Sequence, residues 1–157
     1  MNPLMEFKDY LPLATAMLRR FEGLRLKPYR DPGGVWTLGY GHKMAETDWN
    51  TTHTSITRIE AEELLYHDIQ LRVGYVDQRV KRELTEAQRS ALVVFVFNIG
   101  RTAFRNSTLL KCVNAGQDGL VPREMLRWVW DNGRVLPGLV TRRLAVADLY
   151  WRGRLPT

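Results

Sequence analysis

Seven consecutive apolar residues, Ala91-Leu92-Val93-Val94-Phe95-Val96-Phe97, constrain this 157-residue chain more than any other feature. A run of that length is either a buried strand or part of a helix with no wet face, and its flanks decide between them. Upstream, Thr85-Glu86-Ala87-Gln88 is a capping box, in which the threonine and glutamine side chains satisfy backbone N–H groups that a helix start leaves open. Downstream, Asn98-Ile99-Gly100 is a stop signal. A helix apolar on all sides has to sit inside a bundle. Three further helices, at about Ser107 to Ala115, Pro122 to Trp130 and Leu139 to Trp151, are predicted to surround it.

The first half of the chain reads differently. Leu11, Ala14, Leu18 and Phe21 recur on one face of a predicted N-terminal helix. Residues 25 to 42 alternate β-formers with Gly and Pro, which predicts a short twisted hairpin sheet. Thr57-Arg58-Ile59-Glu60 is a second capping box, and a helical pattern runs from it past Leu64, Ile69 and Val73 to about Val80. Gly74 within it marks either a kink or a tolerated helix glycine. The expected fold class is α+β and mostly helical. Residues 1–80 would form an N-terminal helix, a β-hairpin lobe and a connecting helix, and residues 81–157 a larger helical lobe. A chain of this length suits a single domain and buries close to 70% of its unfolded surface.

Candidate chemistry is concentrated between Arg20 and His42. Glu22 is flanked by Leu18, Phe21 and Leu24, an apolar setting that favours the protonated form a general acid needs. Asp31, in Arg30-Asp31-Pro32-Gly33-Gly34, occupies a turn where water and a neighbouring cation favour the ionised form. Thr37 is first a good strand residue, but its hydroxyl can also hold a water against Asp31. Two carboxyl groups in unlike settings, with a hydroxyl beside one of them, are the parts for acid/base cleavage of an acetal. Glycosidic bonds are acetals. Singly, each of the three is more often a surface or turn residue; the reading rests on the set.

Three blocks of that segment, Phe21-Glu22-Gly23, Tyr29-Arg30-Asp31-Pro32-Gly33-Gly34 and Trp36-Thr37-Leu38-Gly39-Tyr40-Gly41-His42, resemble the phage-type lysozymes, endolysins that degrade bacterial cell walls. The similarity continues in order through Glu62-Glu63-Leu64-Leu65-Tyr66-His67-Asp68, Phe97-Asn98-Ile99-Gly100, Phe104-Arg105-Asn106-Ser107-Thr108-Leu109-Leu110 and Leu136-Pro137-Gly138-Leu139-Val140, and so covers the chain from about Leu11. The resemblance implies a lysozyme-like fold with Glu22, Asp31 and Thr37 as the catalytic set. It also suggests that Asn98 lines a sugar cleft; a hydrogen-bonded core or cap role fits that residue equally well. The implied reaction is hydrolysis of the β-1,4 bond between N-acetylmuramic acid and N-acetylglucosamine in peptidoglycan, without cofactor or metal. The implied enzyme is a monomer whose release is assisted by a separate hole-forming membrane protein. The family usually has a glutamate where this chain has Val146.

Two other readings remain open at this point. A lytic transglycosylase would use a single acid and cyclise the muramyl sugar, and so would not need the Asp31 and Thr37 pair. A basic, non-catalytic wall- or nucleic-acid-binding helical module would leave all three residues without a purpose, and no nucleic-acid-binding motif is evident. The basic character is uneven. Residues 81–157 carry 13 Lys and Arg against 6 Asp and Glu, whereas residues 1–80 carry 10 against 11. Such a face suits anionic wall or envelope polymers. Cys112 is alone and reads as a small buried hydrophobe. The apolar stretch from Leu11 to Leu18 is too short for stable membrane insertion and lacks the flanks of an export signal, so synthesis in the host cytoplasm is expected. Of Trp36, Trp49, Trp128, Trp130 and Trp151, most are expected in the core, with Trp128 and Trp130 on opposite faces of one helix. His42 is expected to pair with Asp68.

Overall fold

Pro12, whose missing N–H matters least at a helix start, opens α1 (Pro12–Glu22) in the computed structural model, which describes residues 11–45 and 55–157. The helix buries Ala14, Thr15, Met17 and Leu18 and ends at Gly23, which has φ 66° and donates its N–H to the Arg19 carbonyl. Phe21, expected on the buried face, is only half-buried. An antiparallel sheet follows, in the order β1 (Arg25–Arg30), β2 (Trp36–Gly39), β3 (His42–Lys43). Its register sets Tyr29 opposite Thr37 and Thr37 opposite Lys43. The expected capping box then starts α2 (Arg58–Arg79): the Thr57 hydroxyl accepts from the Glu60 N–H at 3.1 Å, and the Glu60 carboxylate accepts from the Thr57 N–H. Gly74 does not interrupt α2, which is one continuous helix.

Internal contacts divide the chain into two compact units, one up to Ile69 and one from Gln70 onward. In the first, Leu38 from β2, Tyr40 in the turn after it and Met44 just past β3 are buried, as are Ala61, Leu65 and Ile69 from α2. His42 Nδ1 lies 2.8 Å from Asp68 Oδ2, so the expected pair joins β3 to α2.

In the second unit α3 (Glu86–Ile99) is the apolar run, helical as its flanks predict, with residues 90–96 all buried and the Thr85 capping box complete. Around it are α4 (Arg101–Arg105), α5 (Thr108–Asn114), a 3₁₀ turn (Asp118–Leu120), α6 (Val121–Met125) and α7 (Pro137–Arg152). The helix expected to reach Trp130 stops at Met125. A two-stranded hairpin, β4 (Trp130–Asp131) and β5 (Arg134–Val135), takes its place. Asn132 (φ 48°) and Gly133 (φ 75°) form its turn, and Asn-Gly is the pair that a two-residue hairpin loop of this handedness favours.

Three polar side chains of this unit form one network, while the buried Ser90 hydroxyl on α3 has no hydrogen-bond partner among the described residues. Arg82 forks onto Asp118 with two contacts of 2.9 Å, and the Tyr150 hydroxyl donates to the same carboxylate at 2.6 Å. Arg82, foremost, holds the Asp118 carboxyl below its usual range, while burial and Asp118 push the Tyr150 phenol up. Val146, where the resemblance implies a glutamate, is 1% exposed, so the site is core and an apolar side chain suits it.

Candidate active site

Glu22 is the last residue of α1, half-buried, and its carboxyl rests against the turn between β2 and β3. A methyl group placed on Gly41 would come within 2.6 Å of Glu22 Oε2 and 3.0 Å of its Cδ. Gly41 also has φ +73°, where an L side chain is strained. An alanine here would therefore be strained by its backbone and would also displace the Glu22 carboxyl.

Asp31 closes the turn after β1. Its Oδ1 accepts from the Val35 N–H at 2.9 Å and its Oδ2 accepts from the Lys43 ammonium. Lys43, first, and the Val35 N–H hold the Asp31 carboxyl below the usual carboxylate range. The expected ionised carboxylate is thus present, but its cation is Lys43 across the sheet; the adjacent Arg30 lies instead over the Trp36 ring at 4.8 Å. Thr37 is 1% exposed and donates its hydroxyl to the Val35 carbonyl at 3.0 Å. One residue's backbone therefore positions both groups, since the Val35 N–H binds Asp31 and the Val35 carbonyl binds Thr37. The Thr37 proton is committed, so towards a water this hydroxyl acts only as an acceptor.

A family model described as phage lysozyme matches residues 19–145. The chain belongs to that family. It is 41% identical over 138 residues to an endolysin of Acyrthosiphon pisum secondary endosymbiont phage 1, a match covering 85% of this chain and 92% of that protein. Among solved structures, the endolysin from Escherichia coli O157:H7 phage FAHEc1 superposes with a TM-score of 0.81 at 31% identity, over 92% of this chain and 94% of that one. The muramidase domain of SpmX from Asticcacaulis excentricus superposes at 0.77 and 34% identity, over 88% and 94%.

Glu22, Asp31 and Thr37 all belong to the first unit of this family member. Asn98 belongs to the second, exposed at the end of α3, where its Oδ1 accepts from Arg143 Nη2 at 2.6 Å. Arg143 is 3% exposed, also donates to the Trp128 carbonyl at 2.9 Å, and lies over the Phe95 ring. Burial, with Arg142 nearby, pushes its guanidinium down to about 10, still charged at neutral pH. Asn98 and the Trp128 carbonyl thus solvate a buried cation. That role was not readable from the apolar run.

The tryptophans depart from expectation. Trp128 packs edge-on against Phe95, but Trp130 on the hairpin and Trp151 on α7 are 62% and 58% exposed. Their positions decide this: one sits on an exposed strand of the two-stranded hairpin, the other on the solvent face of its helix. Trp49 lies outside the described residues. A recess of about 300 Å³ lined by Asn106, Ser107, Thr108, Glu124, Arg127 and Trp128 also belongs to the second unit; the first three fall in the Phe104–Leu110 block, but nothing in the sequence joins them to the others.

Lys43 gives a direct test of the Asp31 setting. In Lys43→Gln the carboxyl should return towards its ordinary range, so the acid limb of the kcat/KM profile should move to higher pH. An acid limb that does not move would mean that Asp31 is not the group being titrated.

Proposed function

We propose that this chain hydrolyses the β-1,4 bond between N-acetylmuramic acid and N-acetylglucosamine in bacterial peptidoglycan, with Glu22 as general acid and Asp31 as the base for a positioned water. The Glu22 proton passes to the glycosidic oxygen as its bond to the anomeric carbon breaks. Water attacks that carbon from the opposite face, donating a hydrogen bond to the Thr37 hydroxyl and giving up a proton to Asp31. The observation that carries this reading is the contrast between the two carboxyls. Glu22 is half-buried against bare backbone at Gly41, while Asp31 is fixed as an anion by Lys43 and the Val35 N–H. Membership of the phage lysozyme family supports the substrate class.

Product analysis tests the reaction. Mass spectrometry of digested peptidoglycan should report new reducing ends; anhydro-sugars would identify a transglycosylase instead. A water held by Asp31 also predicts inversion at the anomeric carbon, with the carboxyls roughly 6.5 to 9.5 Å apart. Proton NMR of the first-formed anomer decides, and net retention rules out the positioned-water scheme.

Reaching the wall is part of the function. No helix of the described residues is long and apolar enough to cross a membrane. In our reading the enzyme is made in the host cytoplasm, reaches the wall through a separate hole-forming membrane protein and works as a monomer. The 13 Lys and Arg against 6 Asp and Glu of residues 81–157 then draw it to anionic wall polymers. Screening shortens from about 8 Å at 0.15 M salt to about 3 Å at 1 M. Wall clearing should therefore fall steeply with salt while cleavage of a short uncharged oligosaccharide stays nearly flat. Parallel curves for the two substrates would remove recruitment from the scheme.

A further inference from the structure

One buried carboxylate connects the two elements that enclose the Glu22 carboxyl. Glu62, on α2, is 8% exposed. Arg19, one turn before Glu22 on α1, donates to it from Nε at 3.1 and 3.2 Å and from Nη2 at 2.5 Å. The Tyr40 hydroxyl donates to Glu62 Oε1 at 3.1 Å. Tyr40 is 5% exposed and immediately precedes Gly41, the residue on which the Glu22 carboxyl rests. The same turn is pressed onto α2 next to Glu62: a methyl group on Gly39 would meet the Ala61 side chain at 3.5 Å.

A charge this buried is costly to hold unless it is both paired and hydrogen-bonded, and here a guanidinium fork and a phenol do both. Apolar residues could join α1 to α2 without that cost. What the carboxylate adds is direction. The Arg19 fork sets the rotation of the last turn of α1 and hence where Glu22 points. The Tyr40 bond sets the height of the Gly41 backbone beneath it.

We infer that Glu62 is a positioning residue for the general acid, holding Arg19 and Tyr40 so that the Glu22 carboxyl and the Gly41 backbone stay in register. This rests on the reading of Glu22 as the acid. Its effect should be on the chemical step, because misplacing a catalytic group by about 1 Å can lower a rate on the order of 10²-fold.

The test measures kcat and KM on a soluble peptidoglycan-derived oligosaccharide for Glu62→Gln, Tyr40→Phe, Glu22→Gln and the double variant Glu22→Gln/Glu62→Gln, well below each melting temperature. Glu62→Gln should lose roughly 10- to 100-fold in kcat with KM changed less than about twofold. Tyr40→Phe keeps the buried ring and the Arg19 fork, so it should lose about three- to tenfold in kcat, again at constant KM. If Glu62→Gln does not fold, Tyr40→Phe carries the test alone. In the Glu22→Gln background Glu62→Gln should cost nothing more, since there is no acid left to position. Full kcat in the folded single variants beside an inactive Glu22→Gln overturns the positioning role, as does a Glu62→Gln loss that persists undiminished in that background. An active Glu22→Gln overturns the assignment of the acid instead, so the two failures are separate.

Discussion

Glu22→Gln is expected to lose on the order of 10² to 10⁴ in kcat/KM on peptidoglycan fragments while remaining folded, the largest effect of any single substitution considered. Glutamine has nearly the same shape, so it can rest on Gly41 as glutamate does, but it has no proton to give to a departing sugar oxygen. A loss of that size corresponds to about 2.7 to 5.4 kcal/mol of transition-state stabilisation. The fold should tolerate the change because α1 is anchored by Ala14, Thr15, Met17 and Leu18, not by its last side chain. Circular dichroism establishes folding and a reducing-end assay gives the rate. Near-normal cleavage by the folded variant would show that Glu22 is not the acid.

The parts of the molecule legible in the sequence are those governed by neighbours in the chain. Both capping boxes form as predicted, because a threonine and the residue three positions on meet in any helix start. The buried helix α3 follows from its flanks, and the three-stranded sheet follows from glycine punctuation. The hairpin at Trp130–Val135 replaces the end of the predicted helix for a local reason: Asn132-Gly133 is a strong turn signal that outweighs the helix-compatible apolar spacing before it. Short elements lose to periodicity when a few apolar residues fit both periods.

The chemistry was legible to a lesser degree. An ionised Asp31 could be expected from its turn, but not that its cation would be Lys43, which reaches it only because β3 folds back beside β2. Thr37 reads as a strand residue and is one, and its bond to the Val35 carbonyl depends on the turn that also binds Asp31. Least legible was Glu62. Its partners Arg19 and Tyr40 lie 43 and 22 residues away, and nothing in Glu62-Glu63 distinguishes the carboxylate that is buried from the one that is exposed. Networks closed by tertiary contact have no short-range signature.

Gly41 should show the second-largest effect, and it separates backbone strain from damage to the site. Gly41→Ala adds a methyl that would lie 2.6 Å from Glu22 Oε2, so either the turn or the carboxyl must shift. It also places alanine at φ +73°, which costs about 1–2 kcal/mol of stability. Gly116 has a similar φ, +69°, but a methyl there approaches nothing closer than Arg82 Nη1 at 3.9 Å. Gly116→Ala should therefore lose comparable stability and keep its kcat. Gly41→Ala should lose on the order of 10²-fold in kcat, because relieving the contact with Glu22 moves the acid by about 1 Å and breaks its alignment with the scissile oxygen. Melting curves for both variants and kcat at a temperature where each is fully folded complete the comparison. Equal activity in the two would mean that the contact between Gly41 and Glu22 has no part in catalysis, and that the glycine is there for its backbone alone.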